Sequence, residues 1–249
     1  MDYRAKIYAL AAVLQRRIAP GLRYSQIVFE ERLGEYVLNA ERWLDLGCGH
    51  RLLPEWKGPE EGKLVSRVPF VVGADADFAA IRRHRSIRHR CAADVGRLPF
   101  RDASFDLITA NMVVEHLSDP EAQFAEVSRV LAPGGTFVFH TPNAQSYVIA
   151  VARLIPDGLK RILAGILEGR DSSDVYPTYY RANEASRISI LADRGGFHAA
   201  HVEFVASSPA FSLIPPLLVP ELFWIRQLQR RPGLAKYRHT LICALRRGT

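Results

Sequence analysis

The sequence predicts an α/β fold, a mostly parallel sheet with helices on both faces, and three observations predict it. Short apolar runs alternate with helical patterns from Arg42 to Asn143. Successive runs end on polar residues suited to ligand contact, with glycine beside the first: Asp45 with Gly47-Cys48-Gly49, then Asp75, then Asn111. The segment before the last run has complete helix punctuation, with Ser118 or Asp119 as cap, Pro120 in the first turn and Pro133-Gly134-Gly135 as the stop.

The elements follow in order. Ile7, Leu10, Ala11, Leu14 and Ile18 form one stripe of a first helix, and Pro20-Gly21 marks a turn. Ser25 can cap a second helix running to about Leu38. The strand candidates are Arg42 to Leu46, Phe70 to Gly73, Phe105 to Ala110 and Thr136 to His140, and Phe124, Val127, Val130 and Leu131 face inward from the helix before the last. In the last third, Glu184 to Arg194 reads as a helix closed by Gly195-Gly196, and His201 to Ala206 and Arg238 to Leu245 read as strands. Between those strands Pro209 to Ile225 is apolar, and its prolines argue against one continuous helix.

A chain of 249 residues, 48% apolar and 24% charged, is expected to form a single domain over 1–249. Residues 1–40 would be N-terminal helices, 41–143 the ligand-binding core, and 144–183 and 207–232 insertions on the acceptor side or over it as a lid. The formal charge of +7 favours anionic partners only weakly, and the basic stretch from Arg82 to Arg90 reads as a solvated helix face. Cys48, Cys91 and Cys243 form no CxxC pair, so neither a disulfide framework nor a metal site is expected. The apolar run from Ile7 to Leu14 meets Arg16 and Arg17 without a cleavage site, and no run reaches the roughly 20 apolar residues of a membrane span. A cytoplasmic protein is expected, at most peripheral at a membrane surface.

The chemistry is concentrated at the strand ends. Glycines at 47 and 49 let the backbone turn tightly and approach a ligand where open α/β sheets bind nucleotides. Asp45 would repel the diphosphate of a dinucleotide but suits a ligand bearing an ammonium and a sulfonium, and Leu52 stands where a dinucleotide motif wants Gly or Ala. Asp75 can accept hydrogen bonds from both hydroxyls of a ribose. Each of these acids could singly be a cap or a turn residue. Three acids at three strand ends, Asp94 being the third, make that coincidence improbable.

On the stretches Leu44 to Gly49, Val72 to Asp77, Asp94 to Phe100, Ser104 to Leu117 and Phe124 to Asn143, the chain resembles the class I S-adenosylmethionine-dependent methyltransferases, the family that includes the ubiquinone and menaquinone methylases. The resemblance implies a Rossmann-like, doubly wound sheet of seven strands with the last antiparallel, and S-adenosylmethionine as cofactor. It implies that Asp45, Gly47 and Gly49 hold the methionine end, Asp75 the ribose, Asp94 and the Val95 amide the adenine, and that Asn111 lies beside the methionine moiety and the acceptor. The family commonly has a third glycine two residues after Gly49; here Arg51 stands there, and either the turn is wider or Arg51 meets the cofactor carboxylate.

The acceptor half is less legible, because in-line methyl transfer needs placement and exclusion of water more than acid or base. His116, in a helix start, and His140, at the end of the fifth strand, are the candidate catalytic bases; packing or capping is the plainer role of each. Tyr179-Tyr180-Arg181 with Asn183 could fold over the acceptor as a lid. The expected reaction is O-methylation of a small-molecule, glycan or lipid-linked acceptor. A nucleic-acid methylase is disfavoured, since Asn111-Met112-Val113-Val114 stands where an Asp-Pro-Pro-Tyr-type motif would follow the fourth strand. A non-catalytic protein keeping the fold is the other alternative. The segment Phe211 to Ile225 is either a cap on the acceptor pocket or an apolar patch, followed by Arg226, Arg230 and Arg231, for a lipid surface.

Overall fold

The computed structural model describes residues 3–154 and 177–249. The insertion expected over 144–183 therefore lies partly outside the described residues. The chain divides into two compact units: a core unit of Phe29–Pro142, Thr178–Glu203 and Leu241–Thr249, and a second unit of Met1–Val28, Asn143–Pro177 and Phe204–Thr240.

In the core unit, β1 (Arg42–Leu46), β2 (Phe70–Asp75), β3 (His89–Ala92), β4 (Phe105–Asn111) and β5 (Leu131–Pro142) are joined by β6 (Phe197–Val205) and β7 (Thr240–Arg247). They form one seven-stranded sheet in the order β3-β2-β1-β4-β5-β7-β6, parallel from β3 to β5 and antiparallel at its C-terminal strands. The order reverses between β1 and β4, which makes the carboxyl ends of those strands the crevice where doubly wound sheets bind ligands. Trp43, Leu44, Ile108, Val138 and Phe139 are fully buried, as strands covered on both faces require. Against β5 pack α5 (Pro120–Val130), through Phe124, and Phe197 of β6, ring to ring with Phe137. Asp119 caps α5 by accepting from Ala122 N at 3.2 Å, and Gln123 Oε1, one residue past the usual capping-box position, accepts from Asp119 N at 3.1 Å.

Three local expectations need correction. Pro133-Gly134-Gly135 does not stop α5: the helix ends at Val130, and Leu131 already has the extended ψ of 137° that opens β5. The Pro-Gly-Gly run is instead a bulge, since Phe105 pairs with Leu131 but Leu107 with Thr136; proline donates no ladder hydrogen bond and is tolerated there. The arginine-rich stretch is not a helix face. Helix α4 (Phe78–Arg82) is short, β3 begins at His89, His84 is buried, and Arg90 turns back to donate to the carbonyls of Ile81 and His84. Leu10, expected on the buried stripe of α1 (Tyr3–Ile18), is 52% exposed.

In the second unit, α1 and the turn that follows it pack on α8 (Pro215–Arg230), with Ala11, Ala19 and Leu22 against Leu218, Leu222 and Ile225. Contrary to the sequence expectation, α8 is one continuous helix. Pro215 and Pro216 occupy the first turn, whose N–H groups have no intrahelical partner anyway, and only Pro220 forfeits a ladder bond. Burial of its four apolar residues, roughly 1.5 to 3 kcal/mol each, outweighs that loss. A buried relay joins the unit: Ser207 N donates to His239 Nδ1 at 3.1 Å, His239 Nε2 stands 2.8 Å from Tyr147 Oη, and Tyr147 donates to Glu221 at 2.7 Å. Burial lowers the His239 pKa to about 4, so the ring is neutral and Nε2 carries the proton it donates to Tyr147.

Candidate active site

The site lies wholly in the core unit. Immediately after β1, Gly47 and Gly49 have φ of +65° and +54°, values that side-chain-bearing residues rarely adopt. The amides of Gly47 and Cys48 both donate to Ala74 O, at 2.7 and 3.2 Å, tying the turn to the end of β2. A Cβ on Gly47 would stand 2.3 Å from Val113 Cγ2, so the loop and the segment after β4 touch only because residue 47 has no side chain. Asp75 completes the turn: Oδ2 accepts from Gly49 N and Oδ1 from Asp77 N, each at 2.8 Å. Arg51, in place of the third glycine, pairs with Glu55 at 3.5 Å, and buried Glu61 accepts from the amides of Leu52 and Leu53.

Asp45 is buried within β1 and pairs in register with Thr109 of β4. Thr109 Oγ1 accepts from Trp43 Nε1 at 2.7 Å and donates to Asp45 Oδ1 at 2.5 Å, a wholly buried relay. Burial pushes the Asp45 pKa up to about 7, the Thr109 hydrogen bond opposes the rise, and Asp75 and Glu61 add to it. Among the described residues no ion pair neutralises Asp45. Asp94 lies two residues beyond β3; its Oδ1 accepts from Gly96 N at 2.6 Å and it bridges to Arg97, leaving Asp94 exposed and Val95 half-buried.

Asn111 and His140 are register partners at the ends of β4 and β5, with Asn111 Oδ1 3.0 Å from His140 Nδ1. His140 is 2% exposed, stacks on Phe29 at 5.4 Å, and burial lowers its pKa to about 4. Neutral imidazole facing an amide oxygen must carry its proton on Nδ1. Its Nε2 is buried with no hydrogen-bond partner among the described residues. Met112, the next residue, has φ of +57° and donates its amide to His140 O at 2.8 Å. Strain at such a position is characteristic of functional loops.

Sequence reasoning passed over Glu115. It is buried, Thr141 Oγ1 donates to its Oε2 at 3.0 Å, and Asn183 Nδ2 donates to Thr141 at 2.7 Å. Its carbonyl accepts from the amides of Tyr179 and Tyr180, so the aromatic segment is docked on the turn after β4. Burial raises the Glu115 pKa, against the pull of its own amide, His116 and Thr141. His116 Nε2 lies 4.0 Å from Glu115 Oε1 and its side chain is 32% exposed, whereas His140 is enclosed. A charged residue inside an apolar turn, followed by His, was the available signal. Thr109 and Val113 carried none, because their roles depend on strand pairing.

An acid and two left-handed glycines stand at the reversal of a doubly wound parallel sheet, the kind of crevice in which such sheets take nucleotide-type ligands. Residues 44–139 match the model of a methyltransferase domain family. The chain is similar to a malonyl-[acyl-carrier protein] O-methyltransferase of Methylovorus sp., 28% identical over 80% of this chain and 62% of that protein. It is also similar to a ubiquinone biosynthesis O-methyltransferase of Idiomarina loihiensis, 31% identical over 46% of this chain and 48% of that protein. An S-adenosylmethionine-dependent methyltransferase from Mesorhizobium loti shares the fold, with a TM-score of 0.54, 22% identity and coverage of 88% of this chain and 98% of that one. The chain thus has a methyltransferase domain match over residues 44–139 and a fold shared with solved methyltransferases. It spans about half the length of the curated relatives it matches.

Proposed function

We propose that the protein is an S-adenosylmethionine-dependent methyltransferase that O-methylates a small-molecule, glycan or lipid-linked acceptor. The observation that carries the reading is Asp45, a buried carboxyl beside the glycine turn with no cation paired to it among the described residues. An ammonium group placed there supplies the missing counter-charge, and Thr109 already orients the carboxylate. When bound, S-adenosylmethionine supplies an electrophilic methyl on a sulfonium.

The chain's own residues do the rest. Asp45 and the Gly47 to Gly49 turn hold the methionine end, Asp75 accepts from the ribose hydroxyls, and Asp94 with the Val95 amide reads the adenine edge. Asn111 faces the reacting end, held by His140. His116, half-buried and beside Glu115, takes the proton from the acceptor hydroxyl; Glu115 positions it. O-methylation is supported by the two relatives named above, one named for malonyl-[acyl-carrier protein] and the other for ubiquinone biosynthesis.

Isothermal titration with S-adenosylmethionine and its demethylated product tests the cofactor half. A screen with radiolabelled cofactor against phenol, glycan, acyl-carrier and lipid pools tests the acceptor. Micromolar binding with label in one pool is expected; absence of binding by a folded chain sinks the reading.

A further inference from the structure

Helix α8 has two contrasting faces. Leu218, Leu222, Ile225 and Leu228 are buried, as the packed side of a surface helix should be. The other side of a water-facing helix should be polar, yet Pro216, Leu217, Val219, Pro220, Phe223 and Trp224 all lie exposed there, with Phe223 at 52% and Trp224 at 37%. At 100° per residue these six fall within one half of the helix circumference. On the same count Arg226 borders that arc beside Val219, Arg230 falls inside it between Val219 and Phe223, about two turns beyond Phe223, and Arg231 follows as the C-cap. The apolar strip thus ends in basic residues at the C-terminal end of the helix.

Charge is divided just as unevenly. The second unit holds 14 of the 33 Lys and Arg residues and 6 of the 26 acids, a net of +8, which leaves the core unit at −1. Eleven of the seventeen large hydrophobic residues exposed among the described residues also belong to the second unit. Apolar exposure and positive charge therefore coincide on one unit. A second copy meeting this face would bring a like charge of +8 against it. A nucleic acid would use the arginines but leave the apolar strip in water.

We propose that this face docks on an anionic lipid bilayer, with α8 lying in the plane of the surface, Phe223 and Trp224 in the headgroup–acyl boundary, and Arg226, Arg230 and Arg231 against lipid phosphates. No helix among the described residues is long and apolar enough to cross a membrane, so the contact is peripheral. The inference goes beyond methyl transfer and stands independently of it.

Flotation of the full chain with phosphatidylglycerol-rich and pure phosphatidylcholine vesicles, at low and high salt, tests it. Binding to the anionic vesicles only, weakened by salt, is expected. Phe223→Ser/Trp224→Ser should cut binding about tenfold or more, and Arg230→Ala/Arg231→Ala by about tenfold or more, from roughly fivefold for each arginine. Trp224 emission should shift to the blue on binding. Thermal melts by circular dichroism establish that each variant is folded. The proposal is overturned by no flotation with anionic vesicles, by equal binding to phosphatidylcholine, or by folded variants that bind like the parent. Self-association lost in the Phe223/Trp224 variant, or oligonucleotide binding, in a chain that does not float would assign the face to those partners and overturn it too.

Discussion

His140 Nδ1 stands 3.0 Å from Asn111 Oδ1, across the paired ends of β5 and β4, and the histidine is enclosed while the asparagine is only partly buried. A ring whose pKa is lowered to about 4 is neutral throughout the physiological range, and its proton fixes the orientation of the Asn111 amide.

His140→Ala should therefore lower turnover, by about tenfold, through a misplaced Asn111. It should leave the shape of the pH–rate profile between pH 5 and 8 unchanged. His140→Asn, which can still donate to Asn111, should recover part of the rate. An acid limb in that range which disappears in His140→Ala would show instead that the ring titrates during turnover.

Asp75 serves two masters, the proposed ribose hydroxyls and the amides of Gly49 and Asp77. Asp75→Ala should weaken cofactor binding by about 1.5 to 3 kcal/mol, because charged acceptors are lost on both counts. Calorimetric titration measures it, and unchanged affinity in a folded variant removes Asp75 from the site.

The parallel core and the polar strand ends were legible because each rests on a local signal: an apolar run, a cap, a glycine where the backbone turns left-handed. Asp45, Gly47, Gly49, Asp75 and Asn111 could be picked out that way. What depends on pairing between distant strands was not legible. Thr109 reaches Asp45 only because β1 and β4 are in register, and Glu115 meets Thr141, itself held by Asn183, only once segments distant in the chain come together. Helix α8 misled for a related reason: proline propensity is local, whereas the burial that keeps the helix whole comes from α1.

The contact between Gly47 and Val113 gives a double-mutant test. Gly47→Ala places a Cβ within 2.3 Å of Val113 Cγ2 and holds it at φ of +65°. Overpacking and left-handed strain together should cost about 2 to 4 kcal/mol in urea unfolding and abolish tight cofactor binding. Adding Val113→Ala removes the clash but not the backbone strain, so the pair should couple favourably by about 1 kcal/mol or more. Strict additivity would mean that the two segments do not meet.

If Asp45 meets the cofactor ammonium as proposed, cofactor binding is linked to pH. Its carboxyl is raised to about 7 in the folded chain, against an unfolded value near 4. Between those limits the folded state holds a proton that the unfolded state has lost, so this group's contribution to stability is full below about pH 4 and disappears as pH rises through 7. The bound state needs the opposite form, since an ammonium is held by the carboxylate and not by the acid. Binding must then expel the proton below pH 7, and affinity should rise by up to about tenfold per pH unit from pH 5.5 to 7 before levelling off. Titration at pH 6 in two buffers of different ionisation enthalpy should show release approaching one proton. Asp45→Asn should bind weakly at every pH and release none. A folded wild-type chain whose affinity is flat from pH 5.5 to 8 would show that Asp45 does not meet the ammonium.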